Sequence, residues 1–460
     1  MALPENRSPS ISRHFSRRVL ALPSHARNLA FKALLLLEEG MNAQQALSSI
    51  FSSYADGGAQ VLSAKDRHLC SDLVYGFLRT ERRILAIMDL VLPRRGKLPR
   101  PMVLLLGLGI YSLLFQDRIP DHAVVYTTVE SVRHLYGRVF SGVCNACLRS
   151  VMRQRSVFVC LESFERLFNL NSLEARALFY SVPSWVARLW DKAYGRTVAL
   201  QLLSRSFERP WTSFRVNANK PLAVDLKQNL ITLGGVSVSE WGVAFSPGKV
   251  PDELQGKELS WWIDAGYLSF QASGSQRVLD FLGLDSWRAP VCDICAGRGG
   301  KTMALLERGI TVPLCMDISY SRLFGVTDEC HRLGLQEPLS CLGDATLPPL
   351  SRWDGHILLD APCSGLGVLA RRPDIRRRSE DSLKFYTKVQ RDLLHSCARL
   401  LQPGRQLAYV TCTLNPSENE KCVSFFLENH ADFCLVKEWQ TPHSHPWLEG
   451  MYGALLEKRT

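Results

Sequence analysis

The sequence predicts a multidomain protein with an N-terminal all-α domain, a mixed α+β connecting region and a C-terminal α/β domain. Helical periodicity dominates the first third of the chain, whereas apolar runs alternate with helical stretches from Val291 onward. Such alternation is typical of a mostly parallel sheet covered on both faces. We divide the 460 residues into a disordered basic tail (1–25), a helical domain (26–158), a connecting region (159–285) and an α/β domain (286–460).

The N-terminal domain shows the spacing of amphipathic helices. Ala30, Ala33, Leu34 and Leu37 recur at i, i+3, i+4 and i+7, which places them on one helix face. Further helices are predicted at 64–78, 82–92, 102–115, 122–135 and 142–153, with breakers such as Pro93, Pro120 and Gly137 between them. The apolar stretch 102–115 is shorter than the ~20 residues that span a bilayer, so we expect a buried core helix.

Charge and cysteine content narrow the classes of protein. The formal net charge of +11 favours a polyanionic partner, although charge alone does not separate nucleic acid from an anionic membrane surface. No apolar signal segment is visible near the N-terminus, so we expect a cytoplasmic protein whose 14 cysteines are reduced. The two C-x-x-C pairs, Cys144/Cys147 and Cys292/Cys295, lie in unrelated regions, and we expect no metal site.

The α/β domain is predicted from its strands and the helices between them. The predicted strands are 291–295, 311–317, 339–342, 356–360 and 406–412, and the predicted helices include 301–307, 320–333, 382–401 and 418–430. In the connecting region, helical patterns at 172–180, 183–194 and 199–206 lead to a β-like run at 213–217. Because ligands bind at the carboxyl ends of strands in open α/β sheets, the residues after each strand are the candidate site.

A glycine-rich turn follows the first strand, in Cys295-Ala296-Gly297-Arg298-Gly299-Gly300-Lys301-Thr302. A P-loop ends in the same Gly-Lys-Thr, but its first glycine is replaced here by Cys295. A site for S-adenosylmethionine or a dinucleotide instead requires an acidic residue about 20 residues on, where Asp317 stands. Asp344 ends the next strand, so we favour the adenosyl site; capping of helices by both aspartates is the alternative.

Two cysteines end the later strands. Cys363 lies in Asp360-Ala361-Pro362-Cys363-Ser364-Gly365 and Cys412 in Thr411-Cys412-Thr413, each directly after a short apolar run. Most cysteines at buried strand ends are packed as small hydrophobes. Thiols at the ligand-binding edge of a sheet nevertheless suggest covalent catalysis, because a thiol whose pKa is locally lowered is a strong nucleophile near neutrality.

Both cysteine motifs, in this order and together with the glycine-rich turn, resemble the RsmB/Sun-type (RsmB/NOP) family of rRNA cytosine-5 methyltransferases. The helical domain is similar to the NusB-like RNA-binding domain of that family, through the stretches 76–79, 117–123 and 145–149. The resemblance covers about residues 26–460. It implies a Rossmann-like catalytic domain, S-adenosylmethionine as cofactor and a cytosine of small-subunit (16S) rRNA as substrate.

The resemblance also implies residue roles. Cys412 would attack carbon 6 of the cytosine, Cys363 would assist product release, Asp360 would contact the amidine edge of the base, and Lys301 would orient Asp360 or the cofactor. The implied cofactor-binding residues are Cys295, Ala296, Gly297, Arg298, Gly299, Gly300, Lys301, Asp317, Asp344 and Asp360. We expect the partner to be unassembled small-subunit RNA, with no membrane contact and a monomeric enzyme.

The turn departs from the family pattern at one place. Gly297 and Arg298 stand where the family has Ala-Pro, and the loss of proline removes a fixed φ, so we expect a less preorganised loop. Arg298 would reach the cofactor carboxylate or point to solvent. The departure is the basis for the alternative function, a catalytically weak RNA-binding or ribosome-assembly factor. An arginine cluster after Cys363 (371, 372, 376, 377 and 378) is interpreted either as a phosphate clamp or as a solvated helix start.

Overall fold

The computed structural model describes residues 18–19, 22, 25–55, 62–92, 95–168 and 172–459. The predicted disordered tail lies almost entirely outside the described residues, as does the predicted breaker Pro93. The chain forms two compact units. One contains the described residues up to Arg188 together with Arg371–Arg377, and the other contains Leu189–Ala370 and Arg378–Thr460.

The first unit is helical, as the periodicity predicts. Its helices are α1 (Ala26–Glu38), α2 (Ala43–Ala55), α3 (Ala64–Val91), α4 (Arg100–Phe115), α5 (Asp121–Tyr136), α6 (Arg138–Arg153), α7 (Arg155–Val159), α8 (Leu161–Phe168) and α9 (Ser172–Phe179). Helix α4 is buried from Met102 to Leu114, so the apolar stretch is a core helix. None of the helices in the described residues has the length and apolarity needed to cross a bilayer.

The predicted division of 64–92 into two helices is wrong. Helix α3 runs without a break from Ala64 to Val91, because no glycine or proline interrupts Leu78-Arg79-Thr80-Glu81-Arg82. Thr80 turns its hydroxyl inward and donates to the carbonyl of Gly76, 2.8 Å away, so the polar residue is accommodated within the helix. The buried face of α3 then continues to Met88.

The second unit begins within a helical segment, α10 (Ser184–Phe207), which is interrupted at Gly195 (φ +78°). A four-stranded sheet follows in the order β2-β3-β1-β6. Its strands are β1 (Thr212–Val216), β2 (Val236–Ser239), β3 (Gly242–Phe245) and β6 (Leu268–Phe270), with a small hairpin of β4 (Glu253–Leu254) and β5 (Lys257–Glu258). The helices here are α11 (Ala223–Thr232), α12 (Leu259–Asp264) and α13 (Ser273–Leu282). The β-like run predicted at 213–217 is therefore the central strand β1.

A seven-stranded sheet in the order β12-β13-β11-β10-β7-β8-β9 carries the candidate site. The parallel strands are β7 (Val291–Asp293), β8 (Leu314–Asp317), β9 (Leu339–Leu342), β10 (His356–Asp360) and β11 (Gln406–Thr411). Two strands were not predicted: β12 (Phe433–Gln440) and β13 (Tyr452–Lys458), which is antiparallel to both of its neighbours. Pairing of β13 with β11 joins residues between 41 and 51 positions apart, which local patterns do not reveal.

Helices cover the large sheet where the sequence predicts them. They are α14 (Gly300–Leu306), α15 (Tyr320–Leu333), α16 (Ser382–Leu400) and α17 (Glu420–Asn429). Two hydrophobic clusters, one containing Val291 and Leu358 and the other Ile357 and Leu407, pack on the two sides of the central strands. Because β7, β8, β10 and β11 are parallel, their carboxyl ends meet at one edge of the sheet.

Candidate active site

The two candidate cysteines lie side by side. Strands β10 and β11 are adjacent and parallel, and Cys363 and Cys412 follow their carboxyl ends. The two Sγ atoms are 3.2 Å apart, both thiols are free, and the backbone N–H of Cys412 donates to Sγ of Cys363 at 3.3 Å. Sheet register has thus brought together two residues that are 49 positions apart in the sequence.

The shared hydrogen bond distinguishes the two thiols. Donation from Cys363 lowers the pKa of Cys412, and the Lys301 ammonium lowers it further, against the opposing effects of burial and of Asp360. The same hydrogen bond, together with burial, raises the pKa of Cys363 well above its ordinary value. This arrangement favours a thiolate on Cys412 and a protonated thiol on Cys363.

Lys301 and Asp360 form an ion pair beside the thiols. Asp360 ends strand β10, and Lys301 lies in the first turn of α14, with its ammonium bonded to the Asp360 carboxylate. Burial lowers the pKa of Lys301, but the charge and hydrogen bond of Asp360 outweigh that effect and raise it overall. Lys301 is therefore a buried cation that holds Asp360 and acts on the charge of Cys412.

A buried carboxylate ties the two cysteine loops together. Glu418 is fully buried and accepts hydrogen bonds from the backbone N–H and the hydroxyl of Ser364, at 2.8 and 2.5 Å. It also accepts from the side-chain amides of Gln390 (3.0 Å) and Asn415 (2.9 Å). The Ser364 hydroxyl in turn lies 2.7 Å from that of Thr413, next to Cys412. Glu418 thus fixes the residue after each cysteine.

Sequence reasoning did not identify Glu418. The partners of this residue lie up to 54 positions away in the sequence. The available signal was a glutamate among Asn415, Ser417 and Asn419 immediately after a candidate nucleophile. Polar residues so concentrated next to a buried strand must satisfy one another's hydrogen bonds, and that requirement would have predicted a network.

The glycine-rich turn is held by backbone hydrogen bonds. Ala296 N–H donates to the carbonyl of Met316 in β8, and Gly299 N–H donates to that of Ala296, both at 2.9 Å. Gly297 (φ +59°) and Gly299 (φ +81°) adopt the left-handed conformation that glycine favours. The Gly-for-Ala departure therefore coincides with a backbone conformation in which a side chain is strained.

The acidic residues that end the strands occupy different environments. Asp317 is buried and accepts from the N–H groups of Gly297 (2.9 Å) and Ser319 (2.8 Å), so it closes the turn against β8. Asp344 is exposed and accepts from the backbone and hydroxyl of Thr346, which makes it a local turn cap. Asp293, which sequence reasoning overlooked, is buried at the end of β7, accepts from the Thr302 hydroxyl at 2.6 Å, and has a pKa raised to about 7 by burial.

The turn has room for an adenosyl cofactor. A Cβ built on Gly297 or on Gly300 would meet no atom within 4 Å, so the backbone of the turn faces open space. The Asp317 carboxylate lies against this backbone, and Cys295 and Ala296 form its inner side. The residues present therefore fit the predicted cofactor. Asp317 can accept hydrogen bonds from hydroxyl groups of the cofactor, and the glycines allow the cofactor to approach the backbone closely.

Arg298 does not point into the turn. The Arg298 side chain is exposed, and its aliphatic part packs against Gly325 of α15. A Cβ atom placed on Gly325 would lie 3.3 Å from the Cγ atom of Arg298. Of the two alternatives for Arg298, contact with the cofactor carboxylate or a side chain directed to solvent, the structure fits the second. The charged end of the side chain is free to be solvated.

Arg215 and Gln271 support the far side of the turn. Arg215 is buried, pairs with Glu307 at 2.5 Å, and donates to the carbonyl of Gly300 at 3.1 Å. Gln271 donates to the same carbonyl at 2.9 Å. Strand β1 and the segment after β6 thus help to position the start of α14, a role that sequence reasoning did not assign.

The phosphate-clamp interpretation of the arginine cluster is wrong for three of its members. Arg376 is buried and donates to the carbonyls of Tyr180 and Ser181, at 2.8 and 3.1 Å. Arg377 pairs with Glu81 and Glu38. Arg378 donates to the carbonyl of Ser364 at 2.6 Å. These guanidiniums bond to acceptors within the protein, and of the three only Arg376 is buried away from solvent.

Cys144 and Cys147, which form one of the two C-x-x-C pairs, are buried in the helical unit. Across the described ranges no group of three or more His, Cys, Asp or Glu side chains is arranged to hold an ion. Burial raises the pKa of Cys144 and Cys147 to about 12.

Comparison with known proteins agrees with the geometry. Residues 285–449 match the family model for 16S rRNA methyltransferase RsmB/F, and residues 24–153 match the NusB family. The crystal structure of PH0851 superposes with a TM-score of 0.74 and 22% identity over 95% of this chain and 99% of that one. A methyltransferase homologue from Pyrococcus horikoshii (TM-score 0.52, 23% identity) covers 63% of this chain and 99% of its own.

Curated relatives match over nearly their whole length. Ribosomal RNA small subunit methyltransferase B of Shewanella oneidensis is 32% identical over 94% of this chain and 99% of its own. The protein of the same name from Escherichia coli O6:K15:H31 is 31% identical over 93% of this chain and 96% of its own. The predicted fold is confirmed, with an N-terminal NusB domain and a C-terminal methyltransferase domain. The chain therefore belongs to the RsmB/F family of S-adenosylmethionine-dependent small-subunit rRNA methyltransferases.

Proposed function

We propose that the protein methylates carbon 5 of a cytosine in 16S rRNA through a covalent adduct with Cys412. One observation carries the proposal: two free thiols 3.2 Å apart, one favoured as thiolate and the other as thiol, lie at the ligand-binding edge of a methyltransferase sheet. A methyltransferase that transferred its group directly to a nucleophilic nitrogen or oxygen would have no use for such a pair.

The chemistry accounts for the need for a thiolate. Carbon 5 of cytosine is a weak nucleophile, but addition of the Cys412 thiolate to carbon 6 forms a C–S bond and makes carbon 5 enamine-like. Bound S-adenosylmethionine supplies the electrophilic methyl group to that carbon. A base must then remove the proton from carbon 5, so that the C–S bond breaks and the thiolate leaves with its electron pair.

The neighbouring residues have distinct tasks in this scheme. Asp360 contacts the amidine edge of the base and stabilises the protonated adduct, while Lys301 orients Asp360 and favours the thiolate of Cys412. Cys363 assists release of the methylated product. Asp317 and the turn from Cys295 to Gly300 hold the cofactor, and Asp344 adds a contact to the cofactor at the outer rim of the site.

The roles of the two cysteines predict opposite behaviour on mutation. We expect Cys412→Ala to lower the rate of methyl transfer by at least about 10⁴-fold, because the nucleophile is removed. We expect Cys363→Ala to accumulate a covalent protein–RNA adduct, because release is impaired. The measurements are transfer of labelled methyl groups to 16S rRNA and gel migration of the denatured enzyme after incubation with RNA and cofactor.

A matched control is Cys434→Ala, a partly exposed thiol on the edge strand β12. It should transfer methyl groups at the wild-type rate and form no adduct. Wild-type activity in Cys412→Ala would contradict the nucleophile assignment. A Cys363→Ala enzyme that turns over without a slow-migrating band would contradict the release role, and mapping of the modified nucleotide tests cytosine carbon 5 directly.

We further propose that the enzyme acts as a cytoplasmic monomer on small-subunit RNA before assembly. The support is chemical, because carbons 5 and 6 of the target base must both be accessible and a single-stranded or flipped-out nucleotide meets that need. The helical domain, residues 26–158, would then add RNA affinity to a catalytic domain, residues 286–460, joined to it by residues 159–285.

A further inference from the structure

The face of α16 that is exposed to solvent carries a row of basic side chains. Lys384, Lys388, Arg391 and His395 follow one another at spacings of four, three and four residues, which places them on one side of the helix. All four are exposed. At 1.5 Å per residue the row is about 16 Å long, enough for several phosphates of a nucleic-acid strand.

This row forms one wall of a groove. A cavity of about 620 Å³ is lined by Lys384, Lys388 and Arg391 together with Phe425 of α17. A second cavity, of about 330 Å³, continues from Arg391 and Phe425 towards His395 and His430. Because the cavities share Arg391, Asp392 and Phe425, they form one continuous groove between α16 and α17, which we call the α16–α17 groove.

The cations of the groove are available to a ligand. Within the described residues, Lys384, Lys388 and Arg391 form no ion pair within 4.0 Å. The lining contains a single carboxylate, that of Asp392. Uncompensated cations aligned along a groove attract a polyanion, and the α16–α17 groove therefore has the charge that a phosphodiester strand requires.

An aromatic surface lies next to these charges. Phe425 is 39% exposed and its ring stacks against the Arg391 guanidinium, with 3.9 Å between Cζ and the ring centre. Phe385, on the first turn of α16, is 62% exposed. Cations beside exposed rings are typical of surfaces that bind single-stranded nucleic acid, where the rings stack on bases and the cations neutralise phosphates.

The groove borders the segment that follows Cys412. Its lining includes Asn415 and Ser417, which follow Cys412 by three and five residues, and Asn415 donates to Glu418, the carboxylate that fixes both cysteine loops. The groove is therefore connected to the cysteine loops through Asn415 and Glu418. We propose that the α16–α17 groove binds the single-stranded RNA next to the target nucleotide through its phosphates; this rests on the proposed function.

The test is removal of the three cations. The variant Lys384→Gln/Lys388→Gln/Arg391→Gln is compared with a control that removes three exposed cations elsewhere in the same unit, Lys249→Gln/Arg352→Gln/Lys437→Gln. The probe is a single-stranded RNA of about 12 nucleotides with a central cytosine, a length within the range that such surfaces accommodate. Its affinity for the full-length protein is measured by fluorescence anisotropy at several salt concentrations.

We expect the groove variant to bind the RNA at least about tenfold more weakly than the wild type. The slope of log affinity against log salt concentration should become shallower by about two, because each phosphate contact on a single strand contributes ~0.7 to that slope and three cations are removed. The control should match the wild type. Phe425→Leu, a second variant that keeps all charges, should weaken binding about fivefold or more with an unchanged slope, because it removes stacking only. Equal affinity of S-adenosylmethionine for all variants verifies that they are folded.

Equal RNA affinity and slope in the groove variant and its control would overturn the inference, and would point instead to an acidic protein as the occupant. The two proposals fail separately. A wild-type enzyme that methylates no cytosine, yet binds RNA through the groove, would contradict the proposed function only. An enzyme that methylates cytosine with the same KM for RNA in the groove variant would contradict the groove only.

Discussion

The glycine-rich turn and the two cysteine loops lie at the same edge of the large sheet but are held in different ways. The turn from Cys295 to Gly300 is anchored through its own backbone groups, which bond to one another, to β8 and to the side chains of Asp317, Arg215 and Gln271. The cysteine loops are joined through one buried side chain, Glu418. The hydrogen bonds that anchor the turn use its backbone groups and not its side chains, whereas the two cysteine loops share the Glu418 carboxylate as a common acceptor.

The largest expected effect tests that dependence. Glu418→Ala removes the acceptor of two buried donors, the Ser364 N–H and the Asn415 side-chain amide, at about 1–3 kcal/mol each. We expect the free energy of unfolding to fall by about 3 kcal/mol or more. Methyl transfer should fall by at least about 10²-fold, since small displacements of reacting groups cost that much. Urea denaturation and a methyl-transfer assay measure the two effects.

Two variants control this experiment. Glu418→Gln keeps the shape and one acceptor oxygen, so it should retain more stability and activity than Glu418→Ala. Glu428→Ala, on the exposed side of α17, should behave as the wild type. If Glu418→Ala were as active as Glu428→Ala, the cysteine loops would be held without Glu418 and the contrast with the turn would disappear.

A second, smaller effect concerns the residue that connects the two regions. Lys301 follows the turn but bonds to Asp360 beside the cysteines, and its ammonium lowers the pKa of Cys412. Reaction requires the thiolate, which exists above that pKa. Removing the cation in Lys301→Met raises the pKa, so the increase in kcat/KM with pH should occur at higher pH.

We expect Lys301→Met to lose at least about tenfold in kcat/KM at neutral pH, the factor that one unit of pKa represents, and to recover part of it in alkaline buffer. The measurement is the pH profile of methyl transfer, with Lys437→Met as an exposed control. A profile that only decreased in height, without moving along the pH axis, would assign Lys301 to positioning alone.

The smallest expected effect lies within the turn itself. Gly297 has φ +59°, where an L-residue costs about 1–2 kcal/mol, so Gly297→Ala should weaken S-adenosylmethionine binding by about 5- to 30-fold. Arg298→Ala should change affinity by less than about twofold, because its side chain is exposed and lies along α15. Isothermal titration calorimetry measures both. An equal loss in Arg298→Ala would instead place the guanidinium on the cofactor.

Much of the site was predictable because its signals are local. The buried strand before Asp360 and the strand before Cys412 are short apolar runs, and each chemically distinctive residue follows its run directly. The turn carries its glycines where the backbone requires positive φ, at Gly297 and Gly299. Such features depend on neighbours in sequence, so periodicity and residue type were sufficient to locate them.

The errors and omissions share a different cause. Glu418 acquires its role from Ser364 and Gln390, which are far away along the chain. Arg376 resembles a surface cation in sequence, yet it is buried with two carbonyl partners near Tyr180. A charged residue reveals nothing locally about whether its partner is a phosphate, solvent or a distant backbone group.

The amino-acid sequence alone was enough to determine the helical character of the first unit, the parallel strands of the large sheet with the helices between them, and the residue types at the ends of those strands, since these follow from local hydrophobic pattern and turn chemistry. Only the tertiary structure decided which of those residues meet. Parallel pairing of β10 with β11 brings the Sγ atom of Cys363 within 3.2 Å of that of Cys412, and their shared hydrogen bond lowers the pKa of Cys412 while it raises that of Cys363. Contact between distant residues depends on strand register and core packing, which no local pattern contains.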